Sequence, residues 1–123
     1  MTATDHALEL ITTAARAGGE KKGEQIVAFD VSEQLAITDA FLIISASNER
    51  QVGAIVDAGE DALREAGAKP IRREGQRDGR WVLLDYGDIV VHVQHEEERQ
   101  FYALERLWRD CPAIELPEDV TRS

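Results

Sequence analysis

Cysteine is all but missing from this chain of 123 residues: the single Cys111 cannot close an internal disulfide, and neither a CxxC pair nor zinc-ligand spacing accompanies it. A fold stapled by disulfides is excluded, and the usage fits a reducing cytoplasm. Long apolar runs are missing too. The strongest, around Phe41 to Ala46 and Ile89 to Val93, fall far short of the ~20 residues a membrane helix needs. The opening Met1-Thr2-Ala3-Thr4-Asp5 has no basic segment followed by an apolar one, so no secretory signal is expected. Positive charge is in deficit, with 14 Lys and Arg against 24 Asp and Glu and a net charge of −10. Because phosphate backbones are bound chiefly by Lys and Arg, such a surface is a poor general binder of nucleic acid. It suits a basic protein partner, which it attracts and orients before contact.

What is present is an ordinary globular composition, 43% apolar and 31% charged, in a length that suits one domain. From Thr4, a capping residue, the positions Ala7, Leu8, Ile11, Ala14 and Ala15 recur at helical spacing until Gly18-Gly19, where the helix is expected to stop. Gln25 to Val31 is β-branched and aromatic enough for a strand, and Phe41 to Ser45 is continuously apolar, as in a central strand covered on both faces. Asn48 caps a second helix, with Gln51 placed as in a capping box and Val52, Ile55, Val56, Gly59, Ala62, Leu63 and Ala66 along one face up to Gly67. With a strand on either side of it, Phe41 to Ser45 and then about Lys69 to Arg73, the expectation is a right-handed βαβ crossover and a partly parallel sheet.

Trp81 to Asp85 and Asp88 to Val93 flank Tyr86-Gly87 at the spacing of a two-residue hairpin turn, which makes the sheet mixed. A last helix from about Glu96 to Asp110 carries Phe101, Leu104, Leu107 and Trp108 on one face, opens on acidic residues that suit its N-terminal dipole and stops before Pro112. The fold class expected is α/β, a mixed, mostly five-stranded sheet with a βαβ crossover and a terminal hairpin, flanked by about three helices. Residues 1–111 form the single domain and 112–123 an acidic, flexible tail.

A turn at Tyr86-Gly87 sets Asp85 opposite Asp88, Leu84 opposite Ile89, Leu83 opposite Val90, Val82 opposite Val91 and Trp81 opposite His92. One face then holds Val82, Leu84, Ile89, Val91 and Val93, which is a core face. The other holds Trp81, Leu83, Val90 and His92, apolar in the middle and edged by polar groups, with Asp85 and Asp88 at the tip. Two readings stay open for that second face: helices cover it and Trp81 is core, or it meets a partner, since tryptophan is over-represented at binding hot spots. Facing carboxylates at Asp85 and Asp88 call for compensation by a partner's cation, a metal, or the backbone N–H groups of the turn.

Chemistry on the chain itself has little support. His92 and His95 stand three apart on an extended segment and point to opposite faces, so they do not chelate together. Ser45 and Ser47 lack a glycine elbow, Cys111 has no activating neighbour, and there is no Gly-rich phosphate loop. A magnesium-dependent nucleotidyltransferase using Asp39, Asp85 or Asp88 is the alternative from another class. Its signature, a Gly-Ser pair opening a helix and then two carboxylates one residue apart on a strand, is absent, and no cofactor is expected. Lys69 to Arg80 gathers Lys69, Arg72, Arg73, Arg77 and Arg80 against Glu74 and Asp78, either a solvated loop with internal ion pairs or a contact for phosphate or an acidic patch.

Glu74-Gly75, Trp81, Leu84-Asp85, Gly87-Asp88, Val90-Val91-His92-Val93, Arg99, Tyr102, Leu104-Glu105 and Leu107-Trp108 together resemble the ribosomal silencing factor family, also called RsfS or Iojap. Ile37-Thr38-Asp39, Phe41, Ile43, Ser45 and Asn48-Glu49-Arg50-Gln51-Val52 resemble its first half, so the likeness runs from about Ile11 to Arg109. Gln94 departs from the pattern, standing where an apolar residue is more usual. The resemblance implies a nucleotidyltransferase-like fold without the catalytic motif. It also implies binding to the large ribosomal subunit through its ribosomal protein number fourteen (uL14), a block on joining of the small subunit when nutrients are short, and a homodimer when free. Minor contacts to ribosomal RNA fit the same picture. By resemblance the contact residues are Trp81, Leu83, Tyr86 and Asp88 on the hairpin.

Overall fold

Residues 3–121 are described in a computed structural model. The first helix, α1 (Asp5–Glu20), starts where Thr4 accepts a hydrogen bond from the Ala7 amide at 3.1 Å, and it buries Ala7, Leu10, Ile11, Ala14 and Ala15. It does not stop at Gly18-Gly19 but runs on to close at Lys21. Gly18 serves packing: a Cβ there would lie 2.7 Å from Ile44 Cδ1, so a larger residue would push the buried Ile44 side chain aside.

Strands β1 (Glu24–Asp30), β2 (Ala40–Ala46), β3 (Arg72–Glu74), β4 (Trp81–Asp85) and β5 (Ile89–His95) form one sheet in the order β1-β2-β5-β4-β3. The parallel pair is β2 with β5, and every other neighbouring pair is antiparallel. The expected βαβ crossover is present, since β3 runs parallel to β2 in the same sheet, but the two strands are not neighbours. Helix α2 (Glu49–Glu65) leaves β2, but the strand after it, β3, goes to the far edge, and β2 meets its parallel partner only after β3 and β4. Burial explains the choice. β3 is Arg-Arg-Glu and fully exposed, which suits an edge, whereas β5 is buried at every position and takes the centre.

Ile43 and Ile44 are 0% and 1% exposed on opposite faces of β2, so this strand is covered on both sides, each side chain contributing roughly 1.5–3 kcal/mol. One face packs Leu42, Ile44, Val82, Leu84, Ile89, Val91 and Val93 against α1 and α2. Helix α2 is capped by Asn48 Oδ1, which accepts from the Gln51 amide at 2.8 Å, while Gln51 Oε1 reaches back to the Ser47 amide at 2.7 Å. The chain end expected to be loose is instead laid along the outer edge of β1. Asp30 N–H donates to the Pro112 carbonyl and Ile114 N–H to the Ala28 carbonyl, both at 2.8 Å. A last turn of helix, α5 (Glu118–Thr121), tucks Val120 into the core and pairs Asp119 with Arg16 at 3.0 Å. Unpaired strand edge is thereby covered.

The hairpin register differs from the expected one by two residues: Asp85 pairs with Val90, Leu83 with His92 and Trp81 with Gln94. Gly87-Asp88 make the turn, Gly87 at φ 84°, and Tyr86 N–H donates to the Ile89 carbonyl at 2.9 Å. A shift of two preserves both faces, because side chains alternate with period two. It changes the tip: Asp85 no longer faces Asp88, and its Oδ1 accepts from the Gly87 amide at 2.8 Å.

Candidate partner interface

The second face of the sheet is covered incompletely, and the reason lies in the C-terminal helix. In place of one helix to Asp110 there are two short ones, α3 (Glu96–Tyr102) and α4 (Leu104–Leu107), divided at Ala103 in the left-handed region, φ 44°. Arg99 anchors the first of them. It is 4% exposed, donates from Nη1 to Ser45 Oγ at 2.7 Å and from Nε to Glu105 Oε2 at 3.1 Å, and burial holds its pKa below the usual value against the pull of Glu105. The expected apolar stripe is split by the break. Trp108 turns onto the sheet with its ring edge-on to Phe41 at 5.1 Å, while Phe101 and Leu107 remain 80% and 71% exposed.

Trp81 is half-buried on this face. Its indole N–H donates to His92 Nδ1 at 3.2 Å, diagonally across the ladder, and the Tyr102 ring packs against it, tilted by 47°, at 4.9 Å. With Nδ1 accepting, neutral His92 carries its proton on Nε2, which is buried without a hydrogen-bond partner among the described residues. Burial pushes the His92 pKa down to about 4. Gln94, next but one along β5, is 0% exposed with neither amide atom satisfied among the described residues.

Between α4 and the loop after β1 lies an apolar groove of about 470 Å³, walled by Leu35, Ile37, Leu107 and Trp108 and floored by Phe41, Leu83, Val90 and His92. Arg72 and Asp85 close its β3 end, 3.6 Å apart. Ile37 is 82% exposed at the rim, and Tyr102, 47% exposed, extends the apolar surface past Trp81. Large apolar side chains exposed together at the rim of a groove are the composition an interaction surface needs. The groove can seat large apolar side chains with few polar points to orient them.

Of the residues expected to make contact, Trp81 and Leu83 share this face and Asp88 is exposed at the hairpin tip. Tyr86 does not join them. The two-residue shift pairs it with Ile89 and turns it into the opposite core, where it is 8% exposed. Its hydroxyl has no partner among the described residues, and burial together with the charge of Glu60 raises its pKa to about 12. Sequence reasoning missed Ile37, Tyr102 and Leu107 as surface groups. Helical periodicity points apolar residues toward a core, and nothing in the run around Ala103 signals a break. Asp39 and Asp85, the carboxylates of the enzymatic alternative, accept from the Thr4 and Gly87 amides at 3.0 and 2.8 Å.

Comparison with known proteins places this architecture. A family model described as "Ribosomal silencing factor during starvation" matches residues 4–123. The chain is 44% identical to the ribosomal silencing factor RsfS of Halalkalibacterium halodurans, over 88% of this chain and 92% of that protein. It is 40% identical to RsfS of Bacillus subtilis over 87% and 91% of the two chains. Protein Iojap, chloroplastic, from Zea mays is 32% identical over 94% of this chain and half of its own length. Crystal structures of proteins from Bacillus halodurans and Chromobacterium violaceum superpose with TM-scores of 0.78 and 0.80 at 42% and 31% identity, covering 89% and 94% of this chain and 99% and 98% of theirs.

Proposed function

The chain belongs to the ribosomal silencing factor family, and we propose that it represses translation by seating its open sheet face on ribosomal protein number fourteen (uL14) of the large subunit, so that its bulk blocks joining of the small subunit. The observation that carries this reading is the apolar groove beside Trp81, left open by the break at Ala103 on a protein of net charge −10. The charge steers the molecule to a basic ribosomal protein, and the groove supplies the contact. A footprint of ~800 Å² per partner is enough for specific binding, and no reaction is required. In the absence of ribosomes a second copy of the chain covers the same apolar surface. The regulatory reading is preferred to the enzymatic one because Asp39 and Asp85 are engaged with backbone amides.

Co-sedimentation with isolated large subunits tests the proposal. Trp81→Glu and Leu107→Glu are each expected to abolish it while circular dichroism stays native. Leu107 is 71% exposed, so that variant carries little folding cost. Binding retained by both variants would remove this face from the mechanism.

A further inference from the structure

The two walls of the apolar groove are held very differently. On one side the loop of residues 31–39 is fastened by its own backbone: Leu35 N–H donates to the Val31 carbonyl and Val31 N–H to the Asp39 carbonyl, both at 2.9 Å, and Asp39 N–H donates to the Asp88 carbonyl at 2.8 Å. Val31 at its start is 0% exposed. On the other side stands α4, a single turn in which none of the four residues is buried and whose start carries no side-chain cap among the described residues. It is tied at Glu105, which accepts from Arg99 Nε across the break at 3.1 Å, and beyond its end by Trp108 against Phe41 and by the buried Cys111.

Ala103 joins α4 to α3 at φ 44° and ψ 53°. Alanine is the best helix former and has no polar side chain to favour the left-handed region, so the local sequence does not ask for a break there. The ties on either side impose it, which makes Ala103 a hinge. Across the groove, Leu107 on α4 is 71% exposed and Ile37 on the loop is 82% exposed. The groove's volume of about 470 Å³ exceeds the roughly 150 Å³ that encloses an aromatic ring, so one inserted side chain would rest on the floor with both rims still in water. Closing over an empty groove gains little, because a void supplies no contacts.

We propose that α4 is a lid: when an apolar side chain of the docking protein enters the groove, α4 turns about Ala103 and carries Leu107 toward Ile37, closing over it. This rests on the reading of the groove given above and adds a step to it, capture after contact. The free protein holds the lid open, and the occupant supplies the surface on which both rims become buried. Capture of this kind acts on the rate of release more than on the rate of encounter.

The test is a distance between spin labels at Gln34→Cys on the fixed loop and Arg106→Cys on α4, both exposed and outside the groove lining, with Cys111→Ser to keep labelling to those sites. Double electron–electron resonance on the free protein and on its complex with isolated large subunits is expected to show the distance shorten by roughly 3 Å, half the length of four helical residues at 1.5 Å each. Arg109→Cys in place of Arg106→Cys gives a second reading if a label at 106 weakens binding. An unchanged distance in a complex that forms overturns the lid and leaves the groove reading standing. The same short distance already present in the free protein overturns it too. If the wild type itself fails to bind large subunits, the reading of the groove fails first, and the lid, with nothing to close on, falls with it.

Discussion

Trp81 on β4 and His92 on β5 are joined by a hydrogen bond of 3.2 Å from the indole N–H to Nδ1, although the ladder sets Trp81 opposite Gln94 and His92 opposite Leu83. The bond fixes the imidazole tautomer and ties the aromatic surface to the central strand. The burial of His92 also makes the fold sensitive to acid. Burial lowers the His92 pKa from 6.5 to about 4, so between these values the unfolded chain takes up a proton that the folded one refuses. The contribution to stability is complete above pH 6.5 and is lost as pH falls toward 4, at most about 3 kcal/mol. Urea denaturation of wild type and His92→Phe should show a constant difference above pH 6.5, with the wild type losing more stability below it. Parallel curves down to pH 4 would refute the assignment.

Tyr86→Phe separates the two faces of the hairpin. The hydroxyl is buried without a partner among the described residues, so its removal is expected to leave stability unchanged or raise it by up to about 1 kcal/mol. Large-subunit binding should be unaltered, because the ring lies under α2 and away from the groove. A tenfold loss of binding in a stably folded Tyr86→Phe would return this residue to the contact surface.

Arg99→Ala should release the C-terminal helices. The variant loses the bonds to Ser45 and Glu105 and leaves a cavity, at an expected cost of about 2–4 kcal/mol. Trp108 then leaves Phe41, and its fluorescence should shift to the red before global unfolding. A single transition at the wild-type midpoint would show that Arg99 does not anchor α3.

Gly75→Ala strikes the loop that delivers Trp81. Gly75 has φ 85°, and a Cβ there would lie 1.8 Å from the Trp81 carbonyl oxygen, which is backbone and cannot rotate away. The expected cost is roughly 1–3 kcal/mol, seen first as faster amide exchange in β3 and β4. Wild-type protection of those amides would count against a strained position.

Much of the molecule was legible because local rules and burial agreed. The spacing of Val52, Ile55, Val56 and Leu63 gave α2, with Asn48 as its cap, and period-two alternation sorted the hairpin into a core face and a mixed face. Even a register wrong by two left the faces correct. The tip went astray because Asp85 and Gly87 close the turn together, and that moved Tyr86 from the surface to the core.

By itself the sequence determined the α/β composition, the two-faced hairpin, the acidic surface with its one basic segment, and the motifs that place the chain in its family. All of these are local patterns or sums over residues. Tertiary structure alone decided that β5 pairs with β2, that the last helix breaks at Ala103, and that Leu107 and Ile37 stay in solvent around a groove. Periodicity states that a residue is apolar and which neighbours share its side. Whether anything covers that side depends on segments far apart in the chain, such as Ser45 holding Arg99, and no window of sequence contains both.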